Sequence, residues 1–257
     1  MKILLTNDDG IKAPGLRALL AGMPPGVNVR VAAPATEKSA CSHSISLGQK
    51  LRVEESGTNG IREYAVHGTP ADAVKFALSE LRGFKPQLII SGINQGANTG
   101  VSVYYSGTIS AAREGLINQV PAIAVSLCSK TSKNFEACTA MIRALIAGYR
   151  ERRFSKDNLL NVNVPDLSWD RISGVKITKQ AASRFIEEFV SDTQRDGKKV
   201  YILAGEIELH DADGTSDEEA ILQGFISITP LKLDLTDYSA IQSLSHWIGH
   251  QFPKNGV

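Results

Sequence analysis

Apolar runs alternate with amphipathic stretches along the first 165 residues, and this alternation constrains the fold more than any other feature of the sequence. The apolar runs are short, rich in β-branched residues and continuous, as in strands that are buried on both faces. The stretches between them repeat apolar residues at helical spacing, for instance Val74, Ala77, Leu78 and Leu81. The pattern predicts an α/β fold with a parallel sheet covered by helices on both faces.

The predicted elements of this part are five strands, four helices and one hairpin. The strands are expected at residues 3–6, 27–33, 87–90, 122–127 and 159–164, and the helices at 16–23, 71–81, 110–118 and 135–150. A hairpin insertion is expected at about 44–66, because Thr58-Asn59-Gly60 is a turn signal between alternating runs.

The character of the chain changes after Pro165, where polar stretches separate the apolar runs. We expect strands at 172–178, 199–203 and 225–229, and an amphipathic helix at 240–248. The acidic stretch 210–220 lacks the residue order of a Ca²⁺-binding loop and is predicted to be a solvated loop. We place a catalytic core at 1–170 and a C-terminal extension at 171–257, since about 80 residues would form only a marginal core alone.

Composition excludes several classes of function. The chain has 257 residues and a formal net charge of +1, which gives no global field for binding nucleic-acid polymers or membranes. No apolar run approaches the ~18–20 residues that a membrane span needs. The three cysteines form no metal-type spacing, and Met1-Lys2 leads directly into the first apolar run. We therefore expect a cytoplasmic protein with reduced thiols.

Two adjacent carboxylates, Asp8 and Asp9, follow the first predicted strand. Loops 34–44 and 91–108 also follow predicted strands, and ligands bind outside the carboxyl ends of parallel strands, so the three loops should meet at one crevice. Turn chemistry alone would need only one aspartate, whereas two adjacent carboxylates repel each other unless a cation is present. Neutral oxygen donors for a divalent cation are available in the neighbouring loops at Ser39, Asn94 and Asn98.

The segment Ser106-Gly107-Thr108 precedes a predicted helix. A helix N-terminus with a glycine and hydroxyl groups suits a phosphate group, although Ser or Thr there is also an ordinary helix cap. A cation held by carboxylates beside an anion site indicates phosphate-ester chemistry. The cation would polarise the phosphoryl group and lower the pKa of a water molecule, and one of the two aspartates would act as general base.

The motifs resemble those of the survival protein E (SurE) family of metal-dependent nucleotidases, nearly from end to end. The segments that carry the resemblance are "ILLTNDDGIKAPG" (3–15), "VAAPATEKSACSHSIS" (31–46), "VHGTPADAV" (66–74), "ISGINQGANTG" (90–100), "YSGTISAAREG" (105–115), "NVNVP" (161–165) and "GFISITPLKLDLT" (224–236).

The resemblance implies a Rossmann-like three-layer core and hydrolysis of nucleoside monophosphates to nucleoside and phosphate, and it leaves open whether 3′-nucleotides and polyphosphate are further substrates. It implies one divalent metal ion per subunit, Mg²⁺ or Mn²⁺. It also implies a homodimer or homotetramer that exchanges hairpins and C-terminal segments. Carried over by residue, the metal ligands are Asp8, Asp9, Ser39 and Asn94, and the phosphate or substrate residues are Asn98, Ser106, Gly107 and Thr108.

Three alternatives remain open at this point. An aspartyl-phosphate phosphatase also places an aspartate after its first strand, but Gly10 stands where that class has its second aspartate. A receiver-like signalling module needs an acceptor aspartate after a central strand, where this chain has Ser91-Gly92. A non-enzymatic nucleotide-binding protein is harder to separate by sequence. His43 is expected to be a satisfied or solvent-facing histidine on the rim of the crevice.

Overall fold

A nine-stranded sheet and a separate two-stranded hairpin organise the computed structural model, which describes residues 1–58, 60–153, 157–193, 198–210 and 213–251. The strands are β1 (Lys2–Thr6), β2 (Asn28–Pro34), β3 (Val53–Thr58), β4 (Ile61–Val66), β5 (Leu88–Gln95), β6 (Ala122–Cys128), β7 (Leu159–Pro165), β8 (Gly174–Ile177), β9 (Ser183–Thr193), β10 (Lys199–Leu209) and β11 (Phe225–Leu231). The helices are α1 (Pro14–Ala21), α2 (Pro70–Glu80), α3 (Ser102–Tyr105), α4 (Gly107–Ile117), α5 (Glu136–Arg150), α6 (Asp217–Leu222) and α7 (Tyr238–Gln251).

The nine strands lie in the order β3-β4-β2-β1-β5-β6-β7-β11-β8, and the central run from β2 to β7 is parallel. Two apolar clusters cover the two faces of the sheet. One cluster contains buried apolar residues of α1 and α5, and the other contains buried apolar residues of α2 and α4. The predicted α/β fold with a three-layer core and a mostly parallel sheet is confirmed.

Strand β1 lies between β2 and β5, so the loops after these three strands leave the same edge of the sheet. The registers pair Thr6 with Ser91 at the end of β1. This pairing places the turn that carries Asp8 and Asp9 beside the segment that carries Asn94.

The region between β5 and α4 is more ordered than predicted. Strand β5 continues to Gln95 with a register irregularity after Ser91, and the short helix α3 follows. Helix α4 begins at Gly107 rather than near residue 110, because the side chain of Ser106 caps it by accepting a hydrogen bond from the Ile109 N–H. The prediction of an unstructured loop at 91–108 was wrong at these points.

The predicted hairpin is present as the antiparallel pair β3 and β4 at one edge of the sheet. It begins at Val53 rather than 44, because Ser44 and Ser46 bond to the N-terminus of α2 instead of pairing with a strand. Asn59 of the predicted turn lies outside the described residues.

Two strands from the predicted C-terminal extension join the main sheet. Strand β11 pairs antiparallel with β7 and parallel with β8. Strands β9 and β10 form the separate antiparallel hairpin, of which β9 was not predicted. The division at residue 170 therefore stays a prediction. None of the helices in the described ranges combines the length and apolar character needed to cross a membrane.

Candidate active site

The turn after β1 is fixed by hydrogen bonds to its own backbone and to the loop after β2. The Asn7 side-chain amide donates to the Gly10 carbonyl at 3.0 Å, and the Lys38 N–H donates to the Asp8 carbonyl at 2.8 Å. Gly10 has a φ of +102°, and a Cβ there would lie 3.2 Å from the Thr36 backbone. Glycine is therefore required at residue 10 for both the turn conformation and the close approach of the second loop.

Asp8 is buried against the first turn of α4. The Thr108 hydroxyl donates a short hydrogen bond to its carboxylate. A Cβ on Gly107 would lie 2.6 Å from the Asp8 Cβ, so only glycine lets the helix approach this closely. The carboxylate thus lies at the N-terminus of an eleven-residue helix, where the N–H groups and the helix dipole stabilise negative charge.

The acidic pair is electrostatically unfavourable without a counter-charge. Burial, the Asp8 carboxylate and Glu37 raise the pKa of Asp9 to about 7, while a backbone hydrogen bond from Gln95 acts in the opposite direction. Burial also raises the pKa of Asp8, against the hydrogen bonds from Thr108. A bound cation would favour the charged form of both buried carboxylates and so lower both pKa values.

Three buried oxygens near the end of β1 and in the neighbouring part of β5 have no hydrogen-bond partner among the described residues. They are the Thr6 hydroxyl, the Asn7 amide oxygen and the Ser91 hydroxyl. Buried polar atoms without partners are typical of sites where an ion, ligand or ordered water binds. The oxygen-rich donor set fits a hard divalent cation rather than a soft one.

Ser39 and Asn94, the other two predicted ligands, lie in the loop after β2 and at the end of β5. Ser39 is exposed, and its hydroxyl donates to Glu37 Oε1 at 2.7 Å. Asn94 is half-buried, and its amide nitrogen donates to the Gly96 carbonyl at 2.8 Å. The structure therefore brings together the three loops of the predicted crevice, while the ligand roles stay predictions.

Asn98 is anchored in the sheet. Its amide nitrogen donates to the Ser126 hydroxyl at 2.8 Å, and its backbone N–H donates to Asn163 Oδ1 at 2.8 Å. Its carbonyl accepts from the amides of Asn161 and Asn163. These contacts fix the backbone between β5 and α3, and a contact of Asn98 with substrate stays a prediction.

Sequence reasoning missed two carboxylates that organise the surroundings of the site. Asp217 was assigned to a solvated loop, but it is fully buried and accepts hydrogen bonds from the N–H groups of Gly100, Ala181 and Glu218. The capping box from Ser216 to Glu219 was a readable signal for the start of α6. The contact with Gly100, however, spans 117 positions and had no local signal.

The second missed carboxylate is Glu114 on α4, whose side chain is 2% exposed. It accepts hydrogen bonds from His43 Nε2 at 3.0 Å and Lys75 Nζ at 2.8 Å. The expectation of a satisfied histidine at position 43 is thereby confirmed. All three cysteines are free.

The comparisons with known proteins agree on one family. The profile of the family described as survival protein SurE matches residues 3–187. A protein named 5′-nucleotidase SurE from Heliobacterium modesticaldum is 45% identical over 97% of this chain and 92% of its own length. One of the same name from Geotalea daltonii is 44% identical over 96% of this chain and 99% of its own length.

A solved structure agrees with these sequence matches. The crystal structure of the SurE protein from Aquifex aeolicus superimposes with a TM-score of 0.82 at 33% identity, covering 96% of this chain and all of that one. Sequence and fold thus lead to one conclusion, and this chain belongs to the survival protein SurE family.

Proposed function

We propose that this chain is a metal-dependent 5′-nucleotidase, a phosphoric monoester hydrolase that releases phosphate from nucleoside monophosphates. The observation that carries the proposal is the contact between the Asp8–Asp9 turn and the Ser106-Gly107-Thr108 start of α4. It combines two carboxylates for a cation with a helix N-terminus for an anion. The shared name of the relatives, 5′-nucleotidase SurE, supports the same activity.

The cofactor in this proposal is one divalent ion per subunit, Mg²⁺ or Mn²⁺, held by Asp8, Asp9, Ser39 and Asn94. When bound, such an ion polarises the phosphoryl group and lowers the pKa of a water molecule. Among the described residues no group of three or more His, Cys, Asp and Glu side chains could hold a metal ion, so the ligand set depends on the neutral oxygens of Ser39 and Asn94.

The chain's own residues would orient the substrate and handle the proton. The N–H groups at the start of α4 would donate to the phosphoryl oxygens and stabilise the charge that develops there. Thr108 also orients Asp8, because its hydroxyl donates to that carboxylate. One of the two aspartates would accept the proton of the attacking water.

The proposal extends to substrate range, assembly and location. We include 3′-nucleotides and polyphosphate as further substrates, and a homodimer or homotetramer as the assembled form. A cytoplasmic location is consistent with three free cysteines in the described part of the chain.

The test is phosphate release from a panel of nucleoside monophosphates with Mg²⁺ or Mn²⁺, with and without a chelator. We expect release that the chelator abolishes, and Asp8→Asn and Asp9→Asn variants that keep the fold by circular dichroism but lose turnover. Near wild-type release from either variant would refute the roles of the pair. Nucleotide binding without release would favour a non-enzymatic binding protein, and a trapped aspartyl-phosphate would favour the covalent mechanism.

A further inference from the structure

Glu114 is a buried carboxylate that the proposed reaction does not use. It lies on α4, two turns after the Ser106-Gly107-Thr108 start of the helix. Besides His43 and Lys75, the Asn118 amide donates to it at 2.8 Å. Burial raises the pKa of Glu114, but the hydrogen bonds from these donors lower it by a larger amount. The pKa of Glu114 therefore lies below its usual value. A buried carboxylate that accepts several charge-assisted hydrogen bonds is held in one position, and it therefore holds the groups that donate to it.

His43 binds Glu114 from the loop after β2. This loop also contains Ser39, the proposed metal ligand. Ala40 and Ser42, on either side of Cys41, have left-handed backbone conformations with φ of 53° and 51°. Such conformations are unfavourable for non-glycine residues and persist only where surrounding contacts hold them.

Further contacts hold the same loop to α2 and α3. The Ser42 N–H donates to the Tyr105 carbonyl at 3.0 Å, and the Thr69 hydroxyl donates to the Ser44 carbonyl at 2.8 Å. Ser46, two residues after this loop, donates to Asp72 through both its N–H and its hydroxyl. Of these anchors, the His43 contact is the one that reaches helix α4, on which the proposed phosphate site is built.

We propose that His43 and Glu114 are positioning residues that hold the loop 34–44 so that Ser39 can reach a cation at Asp8 and Asp9. This inference rests on the proposed metal site. His43 Nε2 donates to Glu114, and Glu114 is fixed by Lys75 and Asn118, so the loop and α4 are locked in one relative position. His43 and Glu114 act through the loop rather than by contact with a ligand, and removal of residues that orient metal ligands typically changes metal affinity by about 10–100-fold.

The experiment measures Mn²⁺ affinity by titration calorimetry in the absence of substrate, together with the melting temperature. The variants are His43→Ala, His43→Gln and the matched control His67→Ala, which removes an exposed histidine that bonds to Glu54 at 2.8 Å. We expect His43→Ala to weaken Mn²⁺ binding about ten-fold or more. His43→Gln should restore most of the affinity, because its amide nitrogen can replace the Nε2 donor, and His67→Ala should bind as the wild type does.

Hydrogen exchange of the metal-free protein provides an independent measurement. His43→Ala should accelerate exchange of the Ser42 amide, whose acceptor is the Tyr105 carbonyl. An unchanged exchange rate, or wild-type Mn²⁺ affinity with only a lower melting temperature, would overturn the positioning role. Equal losses in His43→Ala and His43→Gln would also overturn it. A wild type that binds no Mn²⁺ would refute the metal site itself, which distinguishes the two failures.

Discussion

A methyl group added at Gly107 has no room beside Asp8, and this gives a sharp test of how the site is built. In Gly107→Ala the new Cβ would lie 2.6 Å from the Asp8 Cβ and 2.8 Å from Oδ2. Ordinary contact begins at 3.4 Å, so the two groups must separate by about 0.8 Å (3.4 − 2.6). The closest atom is the Asp8 Cβ, which is attached directly to the backbone, so a rotation of the side chain cannot relieve the contact.

The expected effect on stability is small. Overpacking of this kind costs about 1–3 kcal/mol, and replacing a helical glycine by alanine returns up to about 1 kcal/mol. A net loss near 1 kcal/mol corresponds to a melting temperature lower by about 2–4 °C. The effect on turnover should be much larger, because a displacement near 1 Å at reacting groups can cost about 100-fold in rate. We expect kcat/KM for phosphate release to fall by about 10–100-fold.

Gly115→Ala on the same helix is the matched control. Its Cβ would also approach a neighbour to 2.6 Å, but that neighbour is Cδ1 at the flexible end of the Ile89 side chain. The melting temperature of the control should fall by no more than that of Gly107→Ala, and its kcat/KM should stay at the wild-type value. The value of kcat/KM is measured by phosphate-release kinetics with Mn²⁺, and the melting temperature is measured by thermal denaturation. A Gly107→Ala variant with wild-type kcat/KM would refute the placement of the reaction at the contact between Asp8 and α4.

Two further predictions concern the buried polar groups around the site. Asn163→Ala removes the partner of the Asn98 N–H and one partner of the Asn98 carbonyl. The free energy of unfolding, measured by urea denaturation, should fall by about 2 kcal/mol. An unchanged value would contradict the anchoring role of Asn163. The net pKa of Glu114 lies below its usual 4.5, because the hydrogen bonds that lower it outweigh burial. Its contribution to stability is therefore present above about pH 4.5 and lost as the pH falls further. The melting temperature of the wild type should fall more steeply below this pH than that of Glu114→Gln, and equal slopes would contradict the assignment.

The fold was predictable where the sequence has a strong period. The central strands are buried on both faces, so β1 and β6 consist mostly of apolar residues, and the helices on them keep one apolar face. Strand β9 has no such signal, because almost all of its residues are exposed and no apolar face alternates with a polar one. An exposed hairpin is difficult to distinguish from a polar loop by pattern alone.

The candidate site was predictable for a topological reason. Asp8 follows β1, Ser39 follows β2, and Asn94 lies near the end of β5. These three strands are parallel neighbours, so their ends lie at one edge of the sheet. The partners of the site residues were not predictable. No local feature of the sequence distinguishes Glu114, and its contact with His43 spans 71 positions. No local rule connects such pairs, because their distance is set by the packing of whole elements.

Buried polar groups fix much of the segment between β5 and α4, in addition to the apolar contacts of Val103. This segment is expected to present oxygen donors to a crevice, and polar anchors hold it without replacing those donors by apolar side chains. Asn163 holds Asn98 from the sheet, and Asp217 holds Gly100 from α6. Hydrogen bonds have directional requirements that apolar contacts lack, so anchors of this kind select one arrangement of the backbone. The same reasoning applies to the loop of His43, which makes the predicted losses in Mn²⁺ affinity a consequence of lost position rather than of lost ligands.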